Sequence, residues 1–271
     1  MGGCSASFND GESKDWQLLV HRETSMDTGI RMGKIREASP RFQARLAGVF
    51  AWIGTTEGFA IWVRSRLVVD GDAATTAHNI LAHERLYRWA IVGDVISYVA
   101  FIIYTLLLYD LFRPVSRRLS LLAAVSNVVG VAIQLSIAVF LLAPLLVLEG
   151  ARSSSAVNVA QSQAQALMFL NSYDYGYAIS MVPAGFWNIL TGYLIFRSTF
   201  LPRILGVLLA ISGLYYQINN FAEFLYPAIA ARVEPYVFVI GMAELLLALW
   251  LLVKGVNEQR WKELASAAGV S

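Results

Sequence analysis

Charge is scarce in this sequence. Only 15% of its 271 residues are Asp, Glu, Lys or Arg, and 57% are hydrophobic. Soluble domains carry about 25% charged residues. The deficit comes from long uncharged runs, not from even dilution, so the chain belongs in a bilayer. A formal net charge of +2 is too small to imply a nucleic-acid partner. Cysteine is almost absent: Cys4 stands alone, which excludes an intramolecular disulfide. No apolar segment precedes Cys4, as a lipoprotein cleavage site requires, and Ala6 breaks the myristoylation pattern that Gly2 begins. The first 43 residues contain no signal-type apolar run, so the first span is expected to serve as its own insertion signal.

Histidine is nearly absent as well. His21, His78 and His83 all lie outside the apolar runs, which excludes paired haem ligands within a span. His78 and His83 are five apart and do not share a helix face. With Asp70, Asp72 and Glu84 they would be the best metal candidates, but solvated loop histidines are the favoured reading. The sequence has no HExxH, no glycine-rich nucleotide loop and no serine nucleophile elbow. Neither a metal site nor a cofactor is expected.

What is present is six apolar stretches, at 46–63, 89–112, 119–148, 164–196, 204–225 and 236–253. At about 1.5 Å per residue, about eighteen residues suffice for a hydrocarbon core of about 30 Å. The pattern predicts an all-α, polytopic membrane protein with six transmembrane helices. Residues 1–43 read as a polar, disordered cytoplasmic tail, 44–257 as the membrane domain, and 258–271 as a second short tail. Asp70-Gly71-Asp72 is a turn signal, and an interfacial helix follows it over 73–88. Pro144 is expected to kink the far end of span 3, and Pro183 with Gly185 to interrupt span 4.

Six spans put both termini on one side. Fifteen of the 21 Lys and Arg residues fall on the side of the tails and the 2–3 and 4–5 turns. Six, namely Arg64, Arg66, Arg85, Arg88, Arg152 and Arg232, fall on the other. The positive-inside rule then makes both termini cytoplasmic. The two three-span halves show no repeat, so an inverted-repeat transporter is not supported.

Five carboxylates sit in the spans, each at an insertion cost of about 2.5–3.5 kcal/mol. Asp94 and Asp174 fall in the outer third of spans 2 and 4, Glu57 and Glu244 near mid-depth, and Glu223 at the outer end of span 5. All five occupy one half of the bilayer, and Arg64, Arg85 and Arg88 are the nearest cations. Tyr216, Asn220 and Glu223 share one face of span 5, and Asn127 and Gln134 one face of span 3. Tyr177 stands on the face of span 4 next to that of Asp174. The pattern predicts a tyrosine-lined polar cavity opening outward. Asp94, Asp174 and Glu244 are the candidate acids or bases. Glu57, Asn127, Gln134, Tyr177, Tyr216, Asn220 and Glu223 are the candidate ligand contacts. The competing reading is structural, with each carboxylate hydrogen-bonded across helices to Tyr or Asn.

Three activities fit such a cavity. The first is binding of a small amphipathic or lipid-like molecule. The second is acid–base catalysis, a cyclisation or isomerisation, on a lipophilic substrate. The third is proton-coupled transport with the same carboxylates as relay. Membrane lipids are the expected partners in each case.

The segments RLAGVFAWIG, VRSRLVVDGDAATTAHNI, LLLYDLFRPVSRRLSLLAA, YGYAISMVPAGFWNILTGYLIFRSTFLPRILGVLL and AELLLALWLLVKGVN cover residues 44–257. In them the chain resembles the bacterial six-span membrane family catalogued as domain of unknown function 4386. The resemblance implies six helices and a bacterial inner membrane, and it supplies neither reaction nor substrate. It also implies an acidic residue and a histidine just before YGY. This chain departs from that pattern, with Asn171 and Tyr173 at those places and Asp174 beside them.

Overall fold

The computed structural model describes residues 39–153, 158–226, 232 and 237–269, with side chains in the last span from Gly241 onward. The expected tail through residue 38, part of the 149–163 loop and most of the last outer turn lie outside the described residues. Among those described there is no strand. The helices are α1 (Pro40–Gly54), α2 (Thr56–Leu67), α3 (Ala73–Ala82), α4 (Glu84–Phe112) and α5 (Arg117–Ile137). They continue with α6 (Val139–Ser153), α7 (Val159–Arg197), α8 (Arg203–Leu225), α9 (Val237–Val253) and α10 (Glu258–Ala267).

Five stretches are long and apolar enough to cross a membrane: Pro40–Leu67, Glu84–Phe112, Arg117–Ser153, Val159–Arg197 and Arg203–Leu225. The shorter apolar helix α9 follows them. The distribution of side chains is that of a membrane protein. Leu146, Trp89, Val99 and Leu106 are exposed on the outside. Asp94, Ser97, Asn127, Gln134, Ser180 and Asn188 are buried inside. Such an exterior is stable only where the solvent is itself apolar.

Two of the spans are broken, which the apolar pattern of the sequence does not reveal. In the first, the Gly58 N–H bonds to the Thr55 carbonyl at 3.0 Å, a three-residue closure. This deprives the Gly54 carbonyl of its helical partner, and the Ser97 hydroxyl donates to it instead at 2.8 Å. In the second, the Leu141 N–H bonds to the Ala138 carbonyl, also at 3.0 Å. The break therefore falls at Ala138, six residues before Pro144, which lies inside α6. Proline frees the carbonyl four residues back, that of Phe140, which lies inside α6, so the ring does not itself account for the break at Ala138.

Local signals set the helix ends. Asp72 caps α3, accepting from the Thr75 N–H at 2.9 Å and its hydroxyl at 2.6 Å. Gly71 supplies the positive φ (74°) of the preceding turn. The expected interfacial segment is thus α3, a corner at His83, and the first turn of α4. Asn158 caps α7 and Asn257 caps α10.

Helices α7 and α8 pack backbone to backbone. A Cβ on Gly192 would meet the Gly206 carbonyl oxygen at 2.5 Å, and one on Gly213 would meet that of Gly185 at 2.5 Å. Each helix therefore carries two glycines seven residues apart that face the pair on the other. Lipid tails are as apolar as leucine, so helices associate here by close van der Waals fit, which small residues permit. The C-terminal segment, read from sequence as a polar tail, forms α10 and fastens one end of the bundle. Trp261 Nε1–H donates to the Leu111 carbonyl at 2.9 Å, and Arg260 donates to the Thr199 carbonyl at 3.0 Å.

Candidate functional site

The break between α1 and α2 is the origin of the site. Gly54-Thr55-Thr56 interrupts an apolar span, and each residue's polar group is answered locally. The Thr55 hydroxyl donates to the Trp52 carbonyl at 2.7 Å. The Thr56 hydroxyl lies 2.9 Å from the carbonyls of both Ile53 and Gly93, tying the break to α4. Glu57 follows in the first turn of α2, where the positive end of the half-helix favours an acidic group. Broken helices that line cavities are the usual way irregular backbone is tolerated at membrane depth.

Two adjoining chambers meet at Glu57. The smaller, about 100 Å³, has the more polar lining of the two and includes Asn127, Gln134, Ser180, Asn188 and Tyr216 in its wall. The larger, about 360 Å³, is mainly apolar and runs between the α1–α2 break and α9, past Gly58, Ile61, Leu209 and Ala248. Glu57, Phe101, Tyr177, Trp187 and Glu244 line both. The Tyr177 hydroxyl stands beside the Glu57 carboxyl. Glu244 stands beside the Tyr216 hydroxyl and accepts from Asn188 Nδ2 at 2.7 Å. Glu57 Oε1 and Asn188 Oδ1 are buried with no hydrogen-bond partner.

A third carboxylate stands behind this cavity in a different role. Asp94 is fully buried and forms an ion pair with Arg64, whose side chain is 11% exposed. Arg64 Nη1 and Nη2 each donate to one carboxylate oxygen of Asp94. The guanidinium also lies over the Tyr173 ring, 5.1 Å from its centre. The hydroxyls of Tyr173 and Tyr98 share a hydrogen bond of 3.1 Å. Of the three cations expected nearest the carboxylates, Arg64 is the one that enters the interior. Arg88 instead bridges Glu84 and Glu149 on the exposed surface.

Six of the ten sequence-derived candidates therefore line one cavity: Glu57, Asn127, Gln134, Tyr177, Tyr216 and Glu244. Asp94 lies outside both linings, paired with Arg64. Asp174 is exposed on α7 and lines neither chamber. Asn220 is buried on α8, and Glu223 lies near that helix's end; neither reaches the lining. Sequence reasoning missed Trp187, Asn188 and Phe101. The spacing of Tyr177, Met181, Ala184 and Asn188 carries one face of α7 straight past Pro183, and that periodicity was a usable signal. His78 and His83 are exposed. Among the described residues no group of three or more His, Cys, Asp or Glu could hold a metal ion.

The fold and this interior define a polytopic helical membrane protein with a carboxylate-lined cavity among its spans. The chain belongs to the family described as Domain of unknown function (DUF4386), whose model matches residues 46–255. It is similar to an uncharacterized protein of Archaeoglobus fulgidus, 26% identical over 167 residues, covering 62% of this chain and 84% of the relative. No solved structure matches it.

Proposed function

We propose that this protein binds a small amphipathic molecule within the membrane. Its polar head would occupy the chamber of Asn188, Tyr216 and Glu244, and its apolar tail the chamber between the α1–α2 break and α9. The observation that carries this reading is the join itself. Two chambers, the smaller richer in polar side chains and the larger mainly apolar, share Glu57, Phe101, Tyr177, Trp187 and Glu244, so one ligand can span both. Ligand sites of about 300–1,000 Å³ with an apolar wall and a few converging polar groups are the usual form for small molecules. The excess of basic residues on the side of the tails supports cytoplasmic termini; in that orientation the expected outer-half cavity shifts inward, with Glu57 and Glu244 near mid-depth and Asn127 and Asn188 toward the cytoplasmic side. The family resemblance supports a bacterial inner membrane.

Native mass spectrometry of the protein released from mild detergent tests the proposal. A discrete retained mass is expected. Gly58 lines the apolar chamber, and a Cβ there meets nothing within 4 Å. Gly58→Leu should therefore fill the chamber and abolish the retained mass without lowering stability. A bare polypeptide mass for the wild-type protein, or an adduct indifferent to Gly58→Leu, overturns the reading. A second reading, acid–base catalysis on a lipophilic molecule, draws support from Glu57 and Glu244 lining one cavity together with Tyr177 and Tyr216. In that case Glu57→Gln or Glu244→Gln abolishes turnover while the folded protein persists.

A further inference from the structure

We infer that the head group bound in the polar chamber is a protonated primary amine, so that the ligand is an alkylammonium amphiphile. The inference rests on the amphiphile-binding reading and adds the chemistry of the head. The first observation is the charge arrangement. Glu57 and Glu244 line the same cavity, and neither forms a salt bridge among the described residues. The interior cation, Arg64, is engaged with Asp94 through both terminal nitrogens. A carboxylate withdrawn from water needs a cation or a proton, because its lost hydration is not otherwise replaced.

The second observation is independent of charge. Asn188 is 1% exposed and lines the polar chamber, and its Oδ1 has no hydrogen-bond partner. Its amide nitrogen is committed to Glu244 at 2.7 Å, which leaves the carbonyl oxygen as an acceptor. Glu57 Oε1 is a second buried acceptor without a donor. Orphaned buried acceptors are uncommon in folded proteins and call for a donor from outside the chain. An alcohol brings one O–H and a trimethylammonium brings none, whereas a primary ammonium brings three N–H donors and a positive charge. Glu244 already accepts from Asn188, whereas Glu57 Oε1 has no donor, so Glu57 is the principal counter-ion. Phe101, Tyr177 and Trp187 at the join add aromatic faces, to which a cation is attracted.

The test is equilibrium binding to the full-length protein in phosphatidylcholine nanodiscs, with four ten-carbon probes below their micellar concentrations: decylammonium, decyltrimethylammonium, decanol and decanoate. Decylammonium is expected to bind saturably, at least tenfold more tightly than the other three. The Glu57→Gln variant should erase that preference, bringing the affinity for decylammonium to within twofold of that for decanol. Equal binding of decanol and decylammonium overturns the amine assignment and leaves the amphiphile reading standing, as does equal binding of decyltrimethylammonium. Saturable binding of none of the four, with unlabelled wild-type protein shown folded by its thermal transition, overturns both. The wild-type ranking decides the matter even if Glu57→Gln fails to fold.

Discussion

Removing Arg64 while keeping Asp94 is the most discriminating perturbation this interior offers. Asp94 is fully buried, and both terminal nitrogens of Arg64 reach its carboxylate. Arg64→Met keeps the packing volume of the stem and deletes the charge. Stripping one partner from a buried ion pair costs about 3–5 kcal/mol, because the other charge is left uncompensated. The lost cation over Tyr173 adds roughly 0.5–2 kcal/mol. For a bundle of this size about 1 kcal/mol moves the melting temperature by about 2–4 °C. Arg64→Met should therefore melt roughly 7–28 °C lower, from about 3.5–7 kcal/mol at that conversion. Adding Asp94→Leu removes the stranded carboxylate, and the double variant should recover most of the loss, since buried pairs are often replaceable by apolar residues. The assay is a thermal ramp of the detergent-solubilised protein, read by the monodisperse fraction on gel filtration. The reasoning is refuted if Arg64→Met melts within 2 °C of wild type, or if the two substitutions simply add.

Other predictions follow the same logic of position. Gly192→Leu places a Cβ 2.5 Å from the Gly206 carbonyl oxygen, so α7 and α8 must separate. A loss of about 1–3 kcal/mol or more is expected in the same ramp, whereas Gly150→Ala, which meets nothing within 4 Å, should leave it unchanged. Trp261→Phe keeps an aromatic ring but loses the bond to the Leu111 carbonyl. A cost of about 1 kcal/mol should appear as faster hydrogen exchange confined to α10 and the end of α4. The Thr75 hydroxyl and N–H hold the Asp72 carboxyl below its ordinary value of 3.8. A carboxyl depressed on folding contributes stability that is complete above its unfolded pKa and is lost as the pH falls through the folded one. Asp72→Ala should therefore accelerate exchange in α3 at neutral pH, and the difference from wild type should vanish below the lowered pKa.

The spans were legible because a run of some twenty uncharged, apolar residues matches a bilayer's thickness and little else in a folded chain. Their breaks were not. Gly54-Thr55-Thr56 reads as a tolerable stretch of helix until Ser97 and Gly93 of α4 are seen to answer its backbone and hydroxyl groups. The cavity was legible for a thermodynamic reason: a carboxylate or amide in an apolar run is costly, so its presence is itself a signal. That signal gives depth along a helix but not direction around it. Asp174 shares the α7 face of Ala178 and Met181 on a helical wheel, yet it lies exposed on a 39-residue helix with Pro183 inside it. Asn220 and Glu223 continue the Tyr216 face by spacing, but only Tyr216 reaches the lining. Crossing geometry decides how far up a helix a shared face stays shared. The C-terminal helix was a different kind of omission, for Trp261, Leu264 and Ala265 have helical spacing, and only their position after the last span made them read as tail.

The interior carboxylates sort into two kinds by what surrounds them, and the sorting explains why one fold needs both. Asp94 has a cation, and Arg64 in turn has Tyr173, so this cluster ties α2, α4 and α7 together and leaves no capacity over. Glu57 and Glu244 have neutral polar neighbours instead, Tyr177, Tyr216 and Asn188, and open volume beside them. A pair like the first resists exchange of either partner, because each is costly to bury alone. A pair like the second keeps acceptors ready for a visitor whose donors complete them. The helix break serves the second kind. Because α2 begins at mid-span, Glu57 lies in a first turn and beside a glycine that leaves the chamber open. An unbroken helix would set Glu57 elsewhere around its axis. The Asp94–Arg64 pair, farther along α2, fixes α2 against α4 and so holds the break in place.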